Sequence, residues 1–237
     1  MIDMKTSFLA LGFAVGAAVT LHADVTGKVS LKGTPPPEKE ITPLKADPNC
    51  GKLVSGTPKT RHYVVGADAG LANVFVYVKN APAAAKGKAA SAQPFIDQKG
   101  CLYEPYVVGA VAGQPVEIRT SDPVLHNVNF QKSIATPANP TFNIAMGPAA
   151  KPLTKTFPNP EVFVKLACNV HPWMFGYIGV VDSPFYAITD KDGNFSIPGL
   201  PDGKYTLVFK HLKAGDATAD VEVKGGNASA TLTLEAK

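Results

Sequence analysis

The chain has 237 residues, among them 21 prolines and 21 glycines, and carries a formal charge of +4. It is long enough for one large domain or two small ones, and its Pro, Gly, Val and Thr content favours a turn-rich β protein over a helical one. Arg61 and Arg119 are the only arginines and no basic run interleaves with aromatics, so no nucleic-acid partner is expected.

The N-terminus reads as an export signal. Lys5 supplies a positive start, Phe8 to Leu21 form an apolar stretch rich in small residues, and LHA ends at Ala23 before a cut. Residues 1–23 are therefore expected to be a signal peptide, with the mature chain beginning at Asp24 in the periplasm or outside the cell. The apolar run is short for a retained span, and no later segment is long enough to cross a bilayer.

Val25–Gly33 (VTGKVSLKG) reads as an edge strand ended by Pro35, Pro36 and Pro37, and residues 34–60 as loop. Leu71–Lys79 is a strand with Val74, Val76 and Val78 on one face and Phe75 and Tyr77 on the other. Ala81–Pro94 is low in complexity and reads as a mobile surface loop. Tyr106–Phe130 follows as strand, turn, strand, turn, strand, with Gly113 at the first turn and Ser121-Asp122-Pro123 at the second. In the last of these strands Val124, His126, Val128 and Phe130 share a face, and in EVFVKLAC so do Val162, Val164, Leu166 and Cys168. A histidine and a cysteine thus point the same way as core residues. Tyr186–His211 alternates around turns at Lys191-Asp192-Gly193 and Pro201-Asp202-Gly203, and Ala219–Ala236 reads as a further hairpin around Gly225 and Gly226.

Three cysteines are present: Cys50, Cys101 and Cys168. In an oxidising compartment two should pair, and Cys50–Cys101 is the expected bridge, leaving Cys168 free; three buried reduced thiols are the alternative. Cys168 opens the stretch CNVHPWM, which also holds His171 and Met174. Two imidazoles, a thiolate and a thioether suit copper, because the soft sulfur stabilises Cu(I), imidazole binds both oxidation states and a weak methionine fills an axial position. His126 would be the second imidazole, and Pro172 restricts the loop. Taken singly each residue has a plainer reading: a satisfied core histidine, an ordinary Cys-x-x-His, or packing by Trp173 and Met174. Their joint arrangement favours a metal.

HNVNF (His126–Phe130) with CNVHPWMFGYIGVV (Cys168–Val181) resembles the two ligand segments of plastocyanin-like cupredoxins, and the loop is most similar to the amicyanin type, with its Cys-x-x-His-Pro-aromatic-Met spacing. The resemblance covers about residues 95–182. It implies an all-β, Greek-key cupredoxin sandwich or barrel holding one type 1 copper, with His126, Cys168 and His171 as strong ligands and Met174 as the axial one. It also implies that Asn127 ties the ligand strands together, that His171 is the exposed ligand, and that Trp173 belongs to a docking surface. Thr189–Leu207 is similar to strands of carboxypeptidase regulatory-like, transthyretin-type domains, and GKVSLKG resembles the first strand of that domain. The expected organisation is a copper domain over residues 24–182 with an N-terminal extension, followed by a smaller β-sandwich unit over 183–237, with strand 25–31 open to joining that second unit.

The expected function is single-electron transfer with a redox protein such as a c-type cytochrome or a dehydrogenase. Catalysis is not expected. The mature chain has only His62, His126, His171 and His211, too few for a trinuclear copper cluster, and a nitrite-reducing centre lacks its further histidines within one chain, although a site shared between subunits stays open. Neither a c-type haem motif nor a Gly-rich phosphate loop is present. Two other readings compete. In one, the C-terminal unit recognises carbohydrate or protein and copper serves assembly; in the other, zinc takes the same four residues, although methionine is a poor zinc ligand.

Overall fold

The computed structural model describes residues 23–131, 135 and 137–237. The expected signal peptide lies outside the described residues except for Ala23, which is buried and paired with Leu200. No described helix is long and apolar enough to cross a membrane.

The regular secondary structure of the described residues is mostly strand, as the composition implied, arranged as two pairs of open sheets; neither pair closes into a barrel. In order the strands are β1 (Ala23–Lys32), β2 (Phe75–Val78), β3 (Phe95–Lys99), β4 (Leu102–Glu104), β5 (Val107–Val111), β6 (Pro115–Thr120), β7 (His126–Phe130) and β8 (Phe142–Met146). They continue as β9 (Leu153–Thr156), β10 (Glu161–Ala167), β11 (Phe175–Val181), β12 (Tyr186–Ile188), β13 (Asn194–Leu200), β14 (Gly203–His211), β15 (Gly215–Val223) and β16 (Ala228–Glu235). The α-helix, α1 (Thr42–Ala46), is a single short turn.

The first pair of sheets has the orders β5-β11-β10-β7-β8 and β4-β3-β6-β9. Between them Val116, Ile118, Val128, Phe130, Leu166 and Ile178 form one buried cluster that also contains Cys168 and Met174. Period-two alternation in β7 sends Val128 and Phe130 inward alongside His126, as expected, but Val124 lies before the strand and packs against the separate cluster of Ile41 and Leu44. In β10 the alternation breaks. Phe163 has φ 74°, and the register to β11 shifts between Val162 and Val164. The bulge turns Val162 away from Val164 and Leu166 to pack with Phe75, Tyr106 and Val181, so the face expected to hold all four residues holds three.

The second pair has the orders β13-β1-β16 and β12-β2-β14-β15, with Val25, Val29, Val76, Ile197, Leu207 and Phe209 buried between them. β1 is not an edge strand: it is flanked by β13, antiparallel, and β16, parallel. The turn at Gly225 and Gly226 does not close a hairpin either. β15 pairs with β14 and β16 with β1, so this turn carries the chain from one sheet to the other. Ala81–Pro94 is pinned, with the Gln114 amide donating to the carbonyls of Ala90 and Ala92.

β2 is apolar on both faces because both are buried. Val74, Val76 and Val78 enter the second core, while Phe75 and Tyr77 face the first pair of sheets. There Gly109 of β5 lies opposite Gly179 of β11. The stacked rings of Phe75 and Tyr186, 5.5 Å apart, occupy the space their side chains would take. A Cβ on Gly179 would sit 2.2 Å from the Phe75 ring, and one on Gly109 2.1 Å from Tyr186.

Candidate metal centre

His126 opens β7 three residues after Pro123 of the Ser121-Asp122-Pro123 turn, and Cys168 follows β10 where it leaves the sheet. The chain then reverses into β11. Cys168 N–H donates to the Met174 carbonyl at 2.9 Å and Met174 N–H to the His171 carbonyl at 2.9 Å, with Pro172 at the exposed tip. This closed turn folds His171 back over Cys168. His126 Nδ1 lies 3.0 Å from His171 Nδ1, and Cys168 Sγ lies 4.0 Å and 3.7 Å from these two nitrogens. An ion at about 2.0–2.3 Å from two imidazoles and a thiolate, in near-trigonal array, sets its donors about 3.5–3.7 Å apart. The three observed separations bracket that spacing, and the donors are those that suit copper. Met174 is fully buried in the apolar cluster that holds Cys168.

The surroundings fix these donors. Asn127 Oδ1 accepts from Asn169 N–H at 2.5 Å and from Val170 N–H at 3.4 Å, while the Asn127 N–H points at Cys168 Sγ from 3.5 Å. One side chain thus ties β7 to the ligand turn. Asp122 holds the other side. Its carboxylate accepts from Gly100 N–H and Cys101 N–H, both at 2.7 Å, and meets His126 Nε2 at 3.0 Å. This carboxylate on Nε2 turns the ring so that Nδ1 faces Cys168 and His171, the usual arrangement behind a ligating histidine.

Cys50 and Cys101 form a disulfide, and Cys168 is the one free cysteine. Two further groupings, Cys50 with Cys101 and His171, and Cys101 with Asp122 and His126, also bring potential ligand atoms together. Their sulfurs are bonded to each other, so neither grouping offers a thiolate. Among the described residues the trio of His126, Cys168 and His171 is the grouping with a free thiol.

His171 is only 6% exposed, contrary to the expectation of an exposed ligand. Ile41, Leu44, Cys50, Leu53 and Val54 form an apolar cover that packs on Trp173, and Cys50 Sγ lies 3.5 Å from His171 Nε2. Trp173 Nε1–H donates to the Cys101 carbonyl at 3.2 Å, with its ring 5.2 Å from the His171 ring. The N-terminal extension, stapled down by the disulfide, occupies the place where that imidazole would otherwise meet solvent.

Burial disfavours the His126 imidazolium, but the hydrogen bonds and charges of Asp122 and Cys168 outweigh it and push its pKa up to about 9. Burial likewise opposes the Cys168 thiolate, and hydrogen bonds from His126 and from the backbone N–H of Asn127 and of the ligand turn bring its pKa below the usual thiol value. For Asp122, hydrogen bonds from His126, Cys101 and Gly100 overcome burial and hold the carboxyl low. Burial and the neighbouring His126 charge both lower His171. In the metal-free protein the His126 imidazolium is thus the cation that lowers both Cys168 and Asp122.

Asp122 was legible in the sequence only as part of a turn. The available signal was an acid four residues before a candidate ligand histidine. The cover over His171 had no signal beyond the cysteine pair.

No family model matches the chain, and no curated protein matches it. Parts of it are similar to solved structures. The copper-containing nitrite reductase NirK of Thermus scotoductus SA-01 is 22% identical over 42% of this chain, with a TM-score of 0.33, and the chain spans only 26% of that protein's length. A purple cupredoxin from Nitrosopumilus maritimus is 21% identical over 37% of this chain and 99% of its own, with a TM-score of 0.31. The Cu(I) form of an amicyanin mutant is 20% identical over 44% of this chain and 97% of its own, with a TM-score of 0.33.

Proposed function

We propose that the chain is an exported type 1 copper protein that carries single electrons between redox partners. One copper would be held by His126, Cys168, His171 and Met174. The observation that supports this most directly is the convergence of two imidazole nitrogens and the free thiol inside the first core. Copper, when bound, supplies the one-electron couple. The protein's part is to keep the donors still. Asp122 sets the tautomer and tilt of His126, Asn127 pins the ligand turn to β7, and the disulfide-stapled cover keeps water from His171. A site that moves little between oxidation states has little to reorganise when an electron arrives. Electron carriage without catalysis, with a c-type cytochrome or a dehydrogenase as partner and the periplasm or exterior as location, belongs to the same reading.

The accompanying division of the chain is a signal peptide over 1–23, a copper domain within 24–182 and a second sandwich over 183–237. The pairing of β1 and β2 with β12, β13, β14 and β16 supports assigning those two early strands to the second sandwich, with the copper-binding strands inserted between β2 and β12. A second functional reading draws on the burial of His171, which removes direct contact between that imidazole and a partner. In it copper stabilises a surface-binding module and carries no electrons.

Titration of the purified protein with Cu(II) tests the proposal. An intense blue thiolate-to-copper absorption should rise to one equivalent, bleach with ascorbate and return with an oxidant, and Cys168→Ser should abolish it. A colourless protein, or absorption unchanged by that substitution, would overturn the proposal. Blue protein that exchanges electrons with no cytochrome or small reagent would favour the second reading.

A further inference from the structure

A cavity of about 270 Å³ lies beside the metal centre, between the cover and the first pair of sheets. Its apolar lining comes from Ile41, Leu102, Tyr106, Trp173 and Phe175. Sites that bury drug-sized ligands run to about 300–1,000 Å³, so this one suits a molecule with a single ring. The charged residues lining it are Lys39, Lys59 and Arg61 with the acid Glu40, and the Arg61 charge is paired with Glu104, which leaves Lys39 and Lys59 as its unpaired cations. Arg61 is fixed in place: its guanidinium stacks 4.4 Å above the Tyr106 ring and is held from behind by Glu104 at 2.6 Å and the Tyr103 carbonyl at 3.2 Å. Lys39 and Lys59 are exposed and make no ion pair among the described residues. Aromatic walls favour a flat ring, and the cationic surround favours a negative substituent.

Trp173 belongs both to this cavity and to the metal centre, because its ring lies 5.2 Å from the His171 ring. With His171 itself covered, a molecule in the cavity is separated from that imidazole by one indole.

We propose that this cavity binds single-ring aromatic anions and that a hydroquinone of this class delivers electrons to the centre through Trp173. The donor role rests on the copper reading; the binding does not. In the electron step a bound hydroquinone loses one electron, which reduces copper(II) to copper(I), and one proton, which passes to solvent, and the remaining radical leaves the cavity.

Trp173 is the only tryptophan in the chain, so its fluorescence reports the cavity without any metal. Metal-free protein is titrated with 4-hydroxybenzenesulfonate, with uncharged phenol as comparator. The expected result is a saturable change, at least tenfold weaker for phenol and at least tenfold weaker in the Lys39→Glu/Lys59→Glu variant. Quenching that rises linearly with concentration, the same for both compounds and both proteins, would overturn the binding proposal. Copper-loaded protein is then mixed with hydroquinonesulfonate. Bleaching at a rate that saturates with concentration, and that 4-hydroxybenzenesulfonate slows competitively, supports the donor role. A strictly linear, uninhibited rate overturns the donor role while the fluorescence result stands. A protein that never turns blue overturns the copper reading and the donor role together, and again leaves the fluorescence titration to decide binding.

Discussion

Replacing Asp122 with asparagine is the most informative single change outside the four proposed ligands. The carboxylate is buried and receives three hydrogen bonds, one from Gly100 N–H on one oxygen and two, from Cys101 N–H and His126 Nε2, on the other. Asparagine is nearly the same shape but has one carbonyl oxygen. If that oxygen keeps Cys101 and His126, the amide NH₂ faces the Gly100 N–H; if it turns the other way, two donors face the NH₂. At least one charge-assisted bond is lost, worth about 1.5–3 kcal/mol, and a buried donor is left opposed. Denaturant unfolding of the metal-free variant should show a loss of about 2–3 kcal/mol. Copper affinity should fall separately, because loss of the partner behind a ligating histidine costs about 10–100-fold. Competition against a chelator of known affinity measures this, and the reduction potential of the loaded variant should shift as well. The two readouts separate structure from tuning. A variant that loses stability but binds copper within threefold of wild type, at an unchanged potential, would refute the assignment of Asp122 to the orientation of His126.

Other expectations follow from separate parts of the molecule. The disulfide joins residues 51 apart in sequence, so Cys50→Ala/Cys101→Ala should lower stability by up to about 4 kcal/mol on the loop-entropy account. Loss of the staple should also speed copper extraction by a chelator, and an unchanged extraction rate would show that the cover does not guard His171. Gly179→Ala should cost about 1–3 kcal/mol in denaturant unfolding, because the new methyl meets the Phe75 ring, and Phe75→Leu should restore part of the loss. His211 is buried, with Nδ1 accepting from the N–H groups of Lys213 and Ala214, and burial pushes its pKa down to about 4 despite the nearby Glu38 charge. A histidine whose folded pKa lies below its unfolded value contributes stability in full above pH ~6.5 and loses it as pH falls toward ~4, on the order of 3 kcal/mol in all. His211→Asn keeps an acceptor but cannot take the proton, so its stability should fall less than wild type between pH 7 and pH 4; parallel curves would contradict this.

Much of the site was legible because its residues obey local rules. Alternation in β7 places His126 on the face of Val128 and Phe130, and the spacing of Cys168, His171 and Met174 fits within one reversing turn. Asn127 accepts a hydrogen bond from Asn169 N–H of that turn. What the sequence concealed was long-range. A bulge at Phe163 depends on backbone conformation, not on residue type, so Val162 was placed on the wrong face. The partners of β1 and β16 are about 200 residues apart, and no local pattern announces a parallel pairing at that distance. Gly225-Gly226 has the composition of a hairpin turn, yet such a turn serves equally well to cross between sheets. The burial of His171 was concealed for the same reason: residues 41–54 read as loop, and only their disulfide-held packing on Trp173 shows them to be a cover. Asp122 was hidden inside a turn motif, where an aspartate already has a local explanation.

Cys168 is proposed to bind a copper ion together with His126, His171 and Met174. Electronic and paramagnetic resonance spectra of the protein loaded with one equivalent of Cu(II) test it most directly. The expected result is an intense thiolate-to-copper band with the narrow copper hyperfine splitting of a covalent copper–sulfur bond, both lost in Cys168→Ser. A weakly absorbing spectrum with wide splitting, the same in wild type and Cys168→Ser, would contradict it.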